Sequence, residues 1–160
     1  MAKSKIPKTN ALRILDTHKV EYDVRTYDAP DGFLDGVSVA KQVGMDPREV
    51  FKTLVVQGAS REHYVCVIPV ESELDLKKAA KHFGEKKIEM IPAREITTVT
   101  GYIKGGCSPV GMKKLFKTAI ANQAEHMNLI TVSAGKVGLQ VTLPTEALLG
   151  IVNAQFADLT

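Results

Sequence analysis

The stretch richest in groups that could meet a ligand is Gly101-Tyr102-Ile103-Lys104-Gly105-Gly106-Cys107-Ser108-Pro109-Val110-Gly111-Met112-Lys113-Lys114. Four glycines and a proline this close together exclude a regular helix or a central strand, so the stretch is a loop. Gly105 and Gly106 let main-chain N–H groups approach a ligand with no Cβ in the way. Lys104, Lys113 and Lys114 put positive charge around the bend, and Pro109 stiffens its far side. Oriented amides and cations both stabilise charge on oxygen, which suits an anionic or carbonyl-bearing ligand. Residue types alone equally allow a glycine-rich connector with solvated lysines.

Several better-known arrangements are excluded. Gly106 to Gly111 has the span of a nucleotide-binding P-loop, but Met112 stands where its lysine belongs and no Ser or Thr follows Lys113. Gly106-Cys107-Ser108-Pro109-Val110-Gly111 is one residue too long for a nucleophile elbow. Cys107 could gain thiolate character from loop amides and Lys104, yet no histidine lies near it in sequence, and a free loop thiol is the plainer reading. The histidines at 18, 63, 82 and 126 show no metal-ligand spacing. His63 and Cys66, three apart on a strand, point to opposite faces. No metal and no cofactor is expected.

Lys52 interrupts the apolar run Val50-Phe51-Lys52-Thr53-Leu54-Val55-Val56, on the same strand face as Val50 and Leu54. A lysine there is costly unless its ammonium reaches water, a carboxylate or a ligand. Snorkelling from a strand end is the alternative.

The elements that must position these groups follow from composition and pattern. A chain of 160 residues, 44% apolar and 24% charged, supports one domain with a sizeable core. Aromatics are 6% and tryptophan is absent, against a platform that stacks many bases. The formal charge of +3 is compatible with a nucleic-acid partner without requiring one. Two cysteines make no disulfide framework, no apolar run reaches membrane-span length, and the basic N-terminus lacks the apolar core of a signal peptide, so a cytoplasmic setting is expected.

The pattern predicts a helix from Thr9 or Asn10, with Ala11, Ile14, Leu15 and His18 on one face. A strand follows over 20–27, with Tyr27 on its mixed-polarity face, then a loop over 28–36 tipped by Phe33 and Leu34. Ser38 is expected to cap a short helix running to Gly44, and Asp46-Pro47-Arg48-Glu49 to open a brief one. Strands are expected over 50–56 and 63–70. Asp75 and Gly84 bracket a helix over 76–83. Lys77, Lys78 and Lys81 line its outside, with Lys86 and Lys87 beyond, as a solvated face or a phosphate-tracking surface. A short strand over 88–91, a helix from Pro92, strands over 118–121, 129–133 and 139–143, and a helix from Pro144 complete the reading, leaving a short mixed tail. The two strands around Gly135 and Gly138 form a hairpin. Strands interleaved with short helices, without strict βαβ alternation, give an α+β class: a mixed, curved, barrel-like sheet with peripheral helices. Residues 1–8 read as a flexible arm and 9–160 as one domain.

Phe51-Lys52-Thr53-Leu54, Leu76-Lys77-Lys78-Ala79-Ala80, the 101–111 loop, Val132-Ser133-Ala134-Gly135 and the terminal Phe156-Ala157-Asp158 occur in the order seen in the YbaK family. That family comprises Cys-tRNA(Pro) deacylases related to the editing domain of bacterial prolyl-tRNA synthetase, and this chain resembles its Gram-positive branch from about Asn10 onward. The resemblance implies a trans-editing hydrolase that clears mischarged aminoacyl-tRNA. Such an enzyme has a physical reason to exist, because pocket fit alone separates similarly small amino acids by only about 10–200-fold.

By the same resemblance, Lys52 contacts the terminal adenosine and its phosphate or the aminoacyl ester. Gly105, Gly106 and Pro109 form the loop whose amides hold the ester carbonyl. Tyr27, Phe33 or Leu34, Thr53, Ser108 and Ser133 border the substrate. The bound cysteine's own thiolate attacks its ester, so the protein supplies no nucleophile. The partners implied are the aminoacylated 3′ end of tRNA(Pro) and prolyl-tRNA synthetase. Other readings are a deacylase for Ala-tRNA(Pro), with water attacking, and a non-catalytic tRNA-binding module. Two positions depart from the family pattern: Gln140 stands near a family acid, and Cys107 stands where the family carries an aliphatic residue.

Overall fold

The Asp75 carboxylate accepts hydrogen bonds from the main-chain N–H groups of Lys77 and Lys78, and Gly84 at φ 74° stops the helix that follows. Between these two signals lies α3 (Leu76–Phe83), which buries Ala79 and Ala80 and turns its lysines outward. The computed structural model describes residues 8–30, 32 and 34–160. Residues 1–7 of the expected arm and Phe33 therefore lie outside the described residues.

Two sheets organise the chain. The first has the order β1 (Asp23–Thr26), β7 (Leu139–Pro144), β6 (Leu129–Ser133), with both pairs antiparallel. The second has the order β4 (Ile88–Met90), β2 (Phe51–Gly58), β3 (His63–Pro69), β5 (Lys117–Ala121), β8 (Gln155–Ala157). Here β2 pairs antiparallel with β3 and β4, while β3, β5 and β8 run parallel. A parallel bridge between Val50 and Thr131 links the two sheets, with Thr131 N–H donating to Glu49 O at 3.3 Å. The mixed α+β architecture is as expected, but the strands form two sheets rather than one.

Short helices surround the sheets. α1 (Asn10–Thr17) is capped by the Thr9 hydroxyl and buries Ala11, Leu12 and Leu15. α5 (Thr145–Ile151) buries Leu148. Their apolar faces join Phe51, Ile68, Ile120, Ile130, Leu143 and Leu159 in one core. Burying each large side chain stabilises by about 1.5–3 kcal/mol before entropy is counted.

Five local expectations are corrected. α2 (Gly36–Gln42) begins earlier than expected, because the Asp35 carboxylate accepts from both Ser38 N–H (3.0 Å) and Ser38 Oγ–H (2.7 Å); Ser38 is a donor to the cap. Residues 46–49 form a single turn closed by Glu49 N–H on Asp46 O, too short to propagate a helix before β2 starts. The strand over 20–27 shrinks to β1, and His18 is exposed, with its ring nitrogen against Ile14 O. The tail contains β8, a three-residue strand at the sheet edge.

Candidate active site

The loop at residues 101–116 has no regular structure, yet it is pinned at several points. Gly101 ends α4 (Ile96–Thr100) at φ 87°. The buried Tyr102 donates its hydroxyl to Val110 O at 2.5 Å, and its main-chain N–H donates to the Thr100 hydroxyl oxygen at 3.0 Å. Asn10 Nδ2 donates to Gly111 O, and Lys113 N–H donates to Thr100 O. Gly106 is packed so tightly that a Cβ there would meet Val137 N at 2.7 Å and Lys136 C at 2.9 Å. The 134–138 turn of the β6–β7 hairpin therefore fixes the loop, and only glycine permits that approach.

The pinned loop closes one side of a cavity of about 450 Å³, a size suited to a small ligand. β2 and β6 supply the opposing walls. They start from the Val50–Thr131 bridge, run in the same direction, and are joined by no further ladder among the described residues. Residues 51–55 of β2 line one side, while Ser133 of β6 and Gln140 of β7, direct partners in register, line the other. Tyr27, anchored by its N–H on Gly138 O at 2.9 Å, forms an end wall. α2 contributes Val37 and Val39, and Met90, Ile91, Ala93 and Ile96 complete an apolar lining.

The structure brings Tyr27, Lys52, Thr53, Gly105 and Ser133 to this one cavity, with Leu34, Lys104, Cys107 and Gln140 beside them. Three other residues singled out in the sequence lie off it. Gly106 is buried behind the loop, and its N–H donates to Ile103 O at 2.9 Å. Ser108 is fully buried and its hydroxyl accepts from Val110 N–H. Pro109 borders a separate hollow of about 200 Å³ with His18, Met112 and Phe116. These three shape the loop from behind.

The electrostatics of the cavity are simple. Lys52 and Lys104 are its cations, and among the described residues Lys52 has no ion-pair partner. Asp35 is the lining carboxylate among the described residues, and its hydrogen bonds to Ser38 hold its pKa below the ordinary range. Burial pushes the Cys107 thiol up to about 11, outweighing a hydrogen bond with Thr100, so it stays protonated at neutral pH. Among the described residues no histidine lines the cavity. No group of three or more His, Cys, Asp or Glu among the described residues could hold a metal.

Two buried polar atoms at the cavity lack any partner among the described residues: Thr53 Oγ1 and Gln140 Oε1. Gln140 is only 7% exposed, and a buried acceptor left unpaired costs about 1–3 kcal/mol. The departure of Gln140 from the family acid was the one sequence signal that pointed to it. The arrangement offers positive charge, main-chain groups and unsatisfied polar atoms in an apolar enclosure, without an activated protein nucleophile. Such an arrangement is chemically suited to a carbonyl-bearing anion.

Comparison with known proteins places the chain in a family. The family model for the aminoacyl-tRNA editing domain matches residues 35–151, which include most of the cavity. A protein of Enterococcus faecalis, EbsC, provisionally named a Cys-tRNA(Pro)/Cys-tRNA(Cys) deacylase, is 47% identical over 100% of this chain and 98% of its own. Among solved structures, one described as a trans-editing enzyme for prolyl-tRNA synthetase superposes with a TM-score of 0.80 at 21% identity, covering 94% of each chain. The hypothetical protein APE2540 superposes at 0.84 with 18% identity, covering 94% of this chain and 99% of that one. These two structures establish the shared fold, and the sequence matches establish more: the chain belongs to the aminoacyl-tRNA editing domain family.

Proposed function

We propose that this protein deacylates Cys-tRNA(Pro), and Cys-tRNA(Cys) with it, by letting the substrate's thiol cleave its own ester. The observation that carries this reading is a cavity that joins a cation and a glycine loop while lacking an activated nucleophile. Lys52 faces the terminal adenosine's phosphate or the ester, and the main chain at Gly105 faces the ester carbonyl. Gly106, Ser108 and Pro109 support that loop, while Tyr27, Thr53 and Ser133 border the aminoacyl group.

The reaction then runs as follows. The cysteinyl thiol loses its proton to water, and the sulfur attacks the ester carbon. The tetrahedral oxyanion is stabilised by amides and the Lys52 charge. The C–O bond breaks, the adenosine oxygen takes a proton from water, and a thiolactone leaves to be hydrolysed to free cysteine. This cyclising step gives the enzyme a lyase-like character. Holding thiolate and ester in contact supplies much of the acceleration. The cavity reads only the acceptor end, so selectivity for tRNA(Pro) comes from association with prolyl-tRNA synthetase in the cytoplasm.

The test is deacylation of a small panel of charged tRNAs by the purified protein. Loss of cysteine from Cys-tRNA(Pro), with Pro-tRNA(Pro) spared, is the expected result. Faster loss of alanine from Ala-tRNA(Pro) would transfer the role to water, and binding without ester loss would leave a tRNA-binding module.

A further inference from the structure

Five consecutive residues of β2, 51–55, line the cavity. A strand that turned one face to a cavity would offer every second residue, so β2 meets the cavity edge-on. The direction of its main-chain groups is set by the bonds at both ends. Glu49 O accepts from Thr131 N–H, Val55 O accepts from Ile91 N–H, and Ala59 N–H donates to Lys87 O. Those odd-numbered residues address β6 and β4. Val50 O accepts from Val70 N–H, and Gly58 N–H donates to Glu62 O, so even-numbered residues address β3. Thr53 is odd. It sits past the β6 bridge at Val50 and short of the β4 ladder, which begins at Val56. Among the described residues, no ladder or bridge pairs it on that edge.

The strand pairing along this edge thus has a gap between Val50 and Val56, centred on Thr53, and the gap opens into the cavity. We propose that the aminoacyl group fills it as though it were a strand residue. The α-ammonium donates to Thr53 O while Thr53 N–H donates to the ester carbonyl oxygen, the reciprocal pair of bonds made by opposed residues in an antiparallel ladder. This inference rests on the deacylase reading and assigns the amino-acid backbone to the β2 edge. Thr53 N–H then joins the loop in facing the oxygen on which charge develops, and recognition of the α-amino group is independent of the side chain.

The experiment compares cysteinyl-tRNA with 3-mercaptopropionyl-tRNA, which keeps the thiol and ester and lacks the α-amine. The ratio of their kcat/KM values is the readout, since a general structural defect lowers both. In the wild-type protein the cysteinyl ester is expected to be favoured by about tenfold or more, the worth of a charge-assisted hydrogen bond. Replacing Leu54 by its α-hydroxy acid turns the Thr53–Leu54 amide into an ester and weakens Thr53 O as an acceptor. The ratio is then expected to fall to about threefold or less. The same replacement at Val56 weakens Val55 O, already held by Ile91, and removes an equivalent bond toward β3, so it should keep the wild-type ratio. A wild-type ratio near one, or a ratio unmoved by the Leu54 ester, would overturn the proposal. Should the Leu54 ester not fold, Gln140→Leu decides. A retained ratio sustains Thr53 O as the acceptor, and a collapsed one assigns the ammonium to Gln140 Oε1 and overturns it. Wild-type protein that turns over neither ester contradicts the deacylase reading itself.

Discussion

Truncating Lys52 to alanine removes the cavity cation that has no ion-pair partner among the described residues. Two bounds set the expected loss. A unit charge 4 Å from a substrate anion is worth about 4 kcal/mol at an effective dielectric constant of about 20. Lys52 is half-buried, so solvent reduces that figure toward the roughly 1.5–3 kcal/mol of a hydrogen bond to a charged group. At about 1.4 kcal/mol per decade, kcat/KM should fall by about 10²-fold, within limits of about 10 to 10³. The side chain is half-buried at the cavity wall, so stability should change by less than about 1 kcal/mol. Single-turnover deacylation of Cys-tRNA(Pro), paired with a thermal melt, separates the two effects. Lys52→Arg should recover part of the rate, because it restores charge in a bulkier, planar form. Near-wild-type deacylation by folded Lys52→Ala, with Cys107→Ala inactive, would refute the assignment.

Three further results are expected. Cys107→Ala should retain most activity, and iodoacetamide at pH 7.5 should label the wild-type protein slowly, because burial holds Cys107 near 11 and Cys66 near 12; intact-mass analysis measures both. Gly106→Ala should lower stability by about 1–3 kcal/mol and reduce kcat/KM, since its Cβ meets the backbone of Lys136 and Val137; a melt and a rate measurement together check this. Glu85 accepts from Ser60 N–H, Ser60 Oγ–H and the Tyr64 hydroxyl, bonds that hold its pKa below the ordinary 4.5. Its stabilisation is therefore present above pH 4.5 and lost as pH falls through the lowered folded value. Glu85→Gln should lower the melting temperature at pH 7 and flatten its decline in acid.

How much of this was legible in the sequence depended on range. Local signals held where cap and stop stood together, as at Asp75 and Gly84, or where turn glycines flanked alternating residues, as at Gly135 and Gly138 with φ of 96° and 94°. They misled where two polar residues three apart competed for one cap, as Asp35 and Ser38 did. β8 escaped notice because three residues, Gln155-Phe156-Ala157, carry no periodicity, and only pairing with β5 makes them a strand. The division into two sheets is equally non-local: among the described residues β2 and β6 form no ladder beyond the single bridge between Val50 and Thr131.

At the site, the types and spacing of Lys52 and the 101–114 loop marked both as candidates, and family resemblance assigned their roles. Residue types could not show which parts of the loop face inward. The three-dimensional path puts Gly105 and Cys107 on the cavity and sends Ser108 and Pro109 away from it. An orphaned atom such as Gln140 Oε1, and an edge such as β2 at Thr53 that no ladder pairs, are defined by partners that fail to arrive, and no sequence pattern records that.

The claim beneath all of this is that an aminoacylated 3′ end occupies the 450 Å³ cavity. A crystal structure with a hydrolysis-resistant 3′-cysteinylamido adenosine tests it most directly. The account requires the cysteinyl group between β2 and Gly105, with the Lys52 ammonium on the ligand's phosphate or carbonyl side. Density for the same ligand along the α3 lysines, with the cavity vacant, would contradict it.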